Sequence, residues 1–399
     1  MKKVLFATTA LVATAGYASA DVALSGSAQM GVQGGSGTTI TQFVQDIDVT
    51  FTMSGETDSG ITFGAAIDLD ESASGVGTDD AGVAIFVSGD FGTLTMGDTD
   101  GGFDAGMQEV NIGSPGSIND NETTHSGYSG NSGLDGLYDG QILSYSYSVS
   151  GFTITGSIEM DDDAGATAAF VGANNGAIDG ALVAPVTGAD PAPFNIPGYA
   201  GAILAGDGLT GDAIYGIGAS YAGSFGGGSY TVGAGYQTVQ DFDADLAGAQ
   251  GITIMGISAT VALDSGFSAG FNYSQIDVEG LGIAARAGNA PDALGAAVIA
   301  SNFSGTHMAI GASYAFGDIT VHANYGQYDW DPTAYAYDSS GYGLAASYDL
   351  GGGLSAHIGY GSSSIDALNA SADGYYGASG PAAATGTSSN WSLGVAMSF

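Results

Sequence analysis

Carboxylates are the groups with which this chain could do chemistry. It has 41 Asp and Glu against three Lys and Arg. Asp46 and Asp48 stand two apart in Phe43–Ser54, where Ile47, Val49, Phe51 and Met53 hold the alternate positions. Residues two apart on a strand share a face at a spacing of about 7 Å. The two carboxylates therefore point the same way, opposite an apolar face. Asp68 and Glu159 hold the same polar phase in Ile61–Asp70 and Phe152–Met160. Asp98, Asp100, Asp104, Glu109, Asp120 and Glu122 are spread through 98–140, which has no basic residue. Carboxylates sharing one aqueous space gather cations and repel anions.

They could also ligate hard divalent ions. Asp161-Asp162-Asp163 and Asp241, Asp243 and Asp245 are the candidates for Ca²⁺ or Mg²⁺. Neither run has EF-hand spacing, and no glycine-rich nonapeptide repeat occurs. Solvated charge is the simpler reading, and no cofactor is required. The four histidines are His125, His307, His322 and His357. His322 and His357 alternate into a polar phase beside Thr320, Asn324 and Ser355. A Ser/His or Asp/His hydrolase would need these groups within hydrogen-bond reach. No spacing forces that, so the histidines read as polar wall groups and the chain as no enzyme.

The elements that position these groups are short alternating strands. Trp391, Leu393, Val395, Met397 and Phe399 alternate with Ser392, Gly394, Ala396 and Ser398 at the end of the chain, a period of two that makes one strand face apolar. At the other end Met1-Lys2-Lys3, an apolar run over 4–12 and Ala18-Ser19-Ala20 form a secretory signal peptide. The mature start is placed at Asp21, leaving Arg286 as the one Lys or Arg against all 41 acids. Nucleic acid is excluded as a partner by that charge. The absence of cysteine removes a disulfide framework. No mature stretch reaches the 18 uninterrupted apolar residues of a transmembrane helix.

The connectors sort by length. Short turns fall at 58–60, 89–92, 150–151, 223–228, 264–266, 316–318 and 351–353. Longer loops fall at roughly 33–42, 71–81, 98–140, 161–212, 239–250, 277–305, 328–340 and 363–389. Seven short and eight long connectors join sixteen antiparallel strands with both termini on the short-turn side. That is the layout of a bacterial transmembrane β-barrel with short periplasmic turns and long outer loops. In hydrocarbon only a closed sheet leaves no unpaired edge, and sixteen tilted strands enclose an aqueous lumen. Tyr145, Tyr147, Tyr221, Tyr236, Tyr314, Tyr348 and Tyr360 sit on the apolar faces as interfacial girdles. Residues 21–399 thus read as one barrel domain. The Pro-containing loop 161–212 is long enough to be functional or partly disordered.

On particular segments the chain resembles a Gram-negative general diffusion porin of the Rhodobacter type. They are Asp21-Val22-Ala23-Leu24-Ser25-Gly26, residues 51–60 (FTMSGETDSG), 87–98 (VSGDFGTLTMGD) and 342–353 (YGLAASYDLGGG), and the terminal Phe399. The resemblance implies a homotrimer of sixteen-stranded channels in outer-membrane lipid and lipopolysaccharide, passing small hydrophilic solutes and ions. It also implies that the loop after strand five folds inward. This places Asp98, Asp100, Asp104, Glu109, Asp120 and Glu122 at a constriction, and Asp46, Asp48, Asp68, Glu159, His322 and His357 on the pore wall. Such porins face the acidic loop with Arg and Lys, whereas here Asp46 and Asp48 stand where cations are expected. A uniformly negative, cation-preferring pore is the expectation. An adhesin or structural barrel with a plugged lumen, and a barrel hydrolase, are the alternatives.

Overall fold

The computed structural model describes residues 21–36, 40–72, 82–120, 122–138, 141–160, 211–241, 251–285, 297–331, 337–367 and 386–399. Its strands are β1 (Asp21–Gly35), β2 (Gln42–Glu56), β3 (Thr62–Ser72), β4 (Val83–Gly89), β5 (Gly92–Gly97), β6 (Ile142–Val149), β7 (Phe152–Glu159) and β8 (Ile214–Phe225). They continue as β9 (Gly228–Val239), β10 (Gly251–Leu263), β11 (Phe267–Ala285), β12 (Ala297–Phe316), β13 (Ile319–Trp330), β14 (Tyr337–Gly351), β15 (Leu354–Ala367) and β16 (Gly386–Ser398). Each pairs antiparallel with its sequence neighbours, and β1 pairs with β16, so the sixteen-stranded sheet closes without an edge. At the seam Ser27 lies opposite Ser398, and the Phe399 amide donates to the Gly26 carbonyl at 2.9 Å.

The alternation seen in the sequence sorts side chains across the sheet. Leu24, Phe51, Ile85, Ile154, Ile217, Ile257, Ile310, Leu344, Ile358 and Leu393 are exposed on the outer face, the band that hydrocarbon covers. Of the seven girdle tyrosines, six are exposed. Tyr221 is half-buried and packs on Phe152, ring centroids 4.5 Å apart. The Tyr145 hydroxyl donates to the Phe91 carbonyl.

Two expectations need correction. The loop placed at 277–305 is much shorter, because β11 and β12 stay paired out to Ala285 and Ala297 after a register shift between Val278 and Leu281. Backbone pairing there does not depend on the alternating apolar signal used to read the strands. The lumen is also not wet throughout. Ile214, Val239, Ile252, Ile254, Ile276, Val278, Tyr328 and Trp330 are buried on the inner face with Phe103, Met107, Leu134, Leu137 and Tyr138 of the loop after β5. That loop supplies an apolar counter-surface inside the barrel.

Candidate functional site

The loop between β5 and β6 lies inside the barrel and follows its wall. It opens with a short helix, α1 (Gly102–Gly106), and carries a single 3₁₀ turn at Ile118–Asp120. The outward limb runs from β7 to β16. Gly102 N donates to Ser157 Oγ at 2.7 Å, and Gln108 N to Ser258 Oγ at 2.8 Å. Ser313 Oγ donates to Ile112 O at 2.8 Å, His357 Nδ1 pairs with Gly116 O at 3.2 Å, and Ile118 N donates to Ser392 Oγ at 3.3 Å. The limb then returns. Asn324 Nδ2 donates to Thr123 O, Ser339 Oγ to Ser126 O, and His307 Nε2 pairs with Gly127 O. Leu134 N donates to Gln237 Oε1 at 2.7 Å, and Gly136 N and Tyr138 N donate to the Glu159 carboxylate.

Glycines make this close docking possible. A Cβ on Gly218 would stand 1.9 Å from Gly102 O, one on Gly233 2.1 Å from Gly106 O, and one on Gly311 2.1 Å from Val110 O. Every strand from β7 to β16 thus touches the loop through a hydrogen bond or a glycine contact, and β1 packs on its 3₁₀ turn, which leaves β2–β5 as the side away from the docked loop.

The expected site residues divide accordingly. Asp98, Asp100 and Asp120 are exposed; Asp48 and Asp68 are half-exposed on β2 and β3. Asp48 accepts from Ser27 Oγ at 2.9 Å and Asp68 from Thr50 Oγ1 at 3.0 Å. A Cβ on Gly82 would meet both Asp98 Oδ2 and the Asp68 Cβ, which puts those two side chains beside each other. Glu109 is half-buried and accepts from Tyr128 Oη at 2.7 Å. Burial, then the Glu109 charge, pushes the Tyr128 phenol far up, so it stays a donor.

The others are not pore-lining as expected. Asp104 is buried on α1 against the wall, and Asp46 is 4 % exposed. Glu122 is 1 % exposed and accepts from Ser392 Oγ; Glu159 is 2 % exposed and takes loop amides. His322 and His357 are buried beneath the loop. Glu159, His322 and His357 share one reason: their polar phase was read correctly, but the loop covers that part of the inner face. Asp104 and Glu122 belong to the loop itself and are buried where it meets the wall, and Asp46 is buried on β2, away from the strands on which the loop docks.

Neither Ser–His pair has the arrangement of a hydrolytic triad. Ser313 Oγ lies 2.8 Å from both Ile112 O and His322 Nδ1, and His322 Nε2 has no hydrogen-bond partner among the described residues, so no third group orients the ring. The other pair is Ser355 with His357, whose Nδ1 faces the Gly116 carbonyl rather than a carboxylate. Of the divalent-ion candidates only Asp241 is described; Asp161, Asp162, Asp163, Asp243 and Asp245 lie outside the described residues. Among the described residues no group of three or more His, Asp or Glu could hold a metal.

Sequence reasoning missed Asp135, Gln237 and the docking glycines as functional. Asp135 accepts from Gly101 N at 2.8 Å and from Gln237 Nε2 at 2.6 Å. Burial pushes its carboxyl well above the usual range, the Asp104 and Glu159 charges add to this, and the two hydrogen bonds oppose it. The glycines had a visible signal, because Gly216/Gly218, Gly233/Gly235, Gly341/Gly343 and Gly359/Gly361 each recur at spacing two, on one face.

Comparison with known proteins agrees with this fold. A refined porin structure superposes with a TM-score of 0.56 at 24% identity, covering 95% of this chain and 100% of that one. A Rhodopseudomonas blastica porin triple mutant does so at 0.53 and 17% identity, again covering 95% and 100%. An anion-selective porin from Comamonas acidovorans gives 0.54 and 12%, covering 96% and 100%. A search of curated proteins finds no match. The family model for the Gram-negative porin matches residues 7–368. A closed sixteen-stranded sheet with a polar passage, and a family match across nearly its whole length, make this chain a member of the Gram-negative porins, outer-membrane diffusion channels.

Proposed function

We propose that the barrel gives passive passage to ions and small hydrophilic solutes with a preference for cations. It works as a homotrimer in outer-membrane lipid and lipopolysaccharide, after export and removal of residues 1–20. The observation that carries the cation preference is the lining. Asp48, Asp68, Asp98, Asp100 and Asp120 reach solvent, and no Lys or Arg stands among the described residues. The anion-selective Comamonas porin shares the fold at low identity. Selectivity therefore has to be read from side chains rather than from the barrel.

Two unit charges about 7 Å apart in water interact by about 0.6 kcal/mol. Screening at 0.1 M salt, where the Debye length is about 10 Å, roughly halves this. A cation gains and an anion loses that amount, so each lining carboxylate changes the cation-to-anion ratio roughly threefold. Reversal potentials in planar bilayers under a KCl gradient test the reading. Wild type should favour K⁺, and Asp48→Asn with Asp68→Asn should lower the ratio by roughly threefold per residue. A wild-type potential of anion-favouring sign would overturn it.

A further inference from the structure

We propose that Asp135, Gln237 and Glu159 are positioning residues that clasp the two ends of the constriction loop together and so set the width of the passage. This rests on the diffusion-channel reading above and deepens it. The loop leaves the wall after β5 and rejoins it before β6, so its first and last turns must be tied for the aperture to keep one shape. Asp135 Oδ2 takes the Gly101 amide at the start of α1, at 2.8 Å. Its Oδ1 takes Gln237 Nε2 of β9 at 2.6 Å, and Gln237 Oε1 takes the Leu134 amide at 2.7 Å. Glu159, at the end of β7, takes Gly136 N at 3.0 Å on Oε2 and Tyr138 N at 3.2 Å on Oε1.

Every oxygen of these three side chains is thereby spent on the loop or on another member of the clasp. They are 7 %, 1 % and 2 % exposed, so they do not line the passage. Phe103, Leu134, Leu137 and Tyr138 are buried in the same apolar cluster and keep water from replacing a lost bond. The strand ladder is made by backbone groups alone. Losing the clasp therefore loosens the two ends of the loop, whose middle keeps its other wall contacts, without opening the barrel.

The test uses full-length protein in planar bilayers and liposomes. Asp135→Asn and Gln237→Ala each remove a buried hydrogen bond, which should raise the undocked population of the loop roughly fivefold to a hundredfold. The expected readout is noisier open-channel current and a larger oligosaccharide cut-off in liposome swelling, with an unchanged reversal potential. The double variant should resemble the singles, because both bonds belong to one chain of contacts.

A second arm covers variants that fold poorly. A Cβ on Gly101 would stand 2.9 Å from Asp135 Cγ, which is within reach of a disulfide, and the chain contains no cysteine. Gly101→Cys with Asp135→Cys should show the wild-type cut-off when oxidised and the wider, noisier channel when reduced. Folded variants with wild-type noise and cut-off, or a double-cysteine barrel indifferent to reduction, would overturn the clasp while leaving the channel reading standing. A wild-type barrel that does not conduct would overturn both.

Discussion

Substituting Gly218 by Ala tests whether the loop is held by contact with the wall. The added Cβ would lie 1.9 Å from Gly102 O and 2.7 Å from Gly106 Cα. Ordinary contact begins near 3.4 Å, so α1 has to recede by the difference, about 1.5 Å at Gly102. The obstacle is backbone on both sides and has no flexible end to swing away. Nor can α1 slide freely, because Gly102 N is bonded to Ser157 and Gly101 N to Asp135. Overpacking of this kind costs about 1–3 kcal/mol, and the direction of relief is toward the open passage. Gly218→Ala should therefore lower single-channel conductance and the temperature at which the folded barrel is lost in detergent. Gly156→Ala on neighbouring β7 is the control, since its nearest atom would be Gly216 O at 3.9 Å. A Gly218→Ala channel with wild-type conductance and heat resistance would refute the docking argument, whatever the control does.

Three further outcomes are expected. The cation preference should fade as KCl is raised from 0.1 M toward 1 M, where the screening length falls from about 10 Å to about 3 Å; reversal potentials at constant gradient ratio check this. Loop docking should weaken on acidification through His125. Burial, helped by the nearby His307, lowers its value from 6.5 to about 4, with the Asn324 side chain acting in the opposite direction. The undocked ring thus takes up its proton first, and the stability it contributes above pH 6.5 is lost as pH falls toward 4. The neutral Nδ1 accepts from Gly127 N at 3.2 Å, which a proton on that nitrogen forbids. Current noise between pH 6.5 and 4 should rise in wild type and less in His125→Phe. Intact mass of protein purified from outer membranes should place the first residue at Asp21; a chain retaining 1–20 would refute cleavage.

The barrel was legible because hydrocarbon enforces a strict rule. Every spanning strand must alternate, as Trp391 to Phe399 does, and every connector must lie at one end or the other. Hairpin turns with glycine, such as Gly60, Gly92 and Gly151, mark one end plainly. The site was read less well. From phase alone Asp48 and Glu159 look the same, since both point inward. The structure separates them because the loop covers Glu159 on β7 and leaves Asp48 on β2 half-exposed. That distinction depends on where 98–140 lies, and no periodicity in one strand carries it. The inward isoleucines Ile252 and Ile254 were a clue, since apolar groups facing a wet lumen require a cover.

The near-absence of Lys and Arg has a consequence for how the passage is built. An acidic loop beside an acidic wall cannot be held by ion pairs when cations are missing. Here it is held by serine, asparagine, histidine and glutamine side chains, by loop amides on buried carboxylates, and by glycine contact. Neutral hydrogen bonds and close packing are insensitive to screening, whereas the field of Asp48, Asp68 and Asp98 is not. On the proposed reading salt acts on two properties unequally: it should remove the preference for cations and leave the aperture in place. A protein anchored by salt bridges would lose both together. The same division separates Asp48, Asp68 and Asp98 on the β2–β5 side from Glu122, Asp135 and Glu159, buried where the loop meets the wall. On the proposed reading the former act on ions in water, and the latter act on the polypeptide that shapes the water's path.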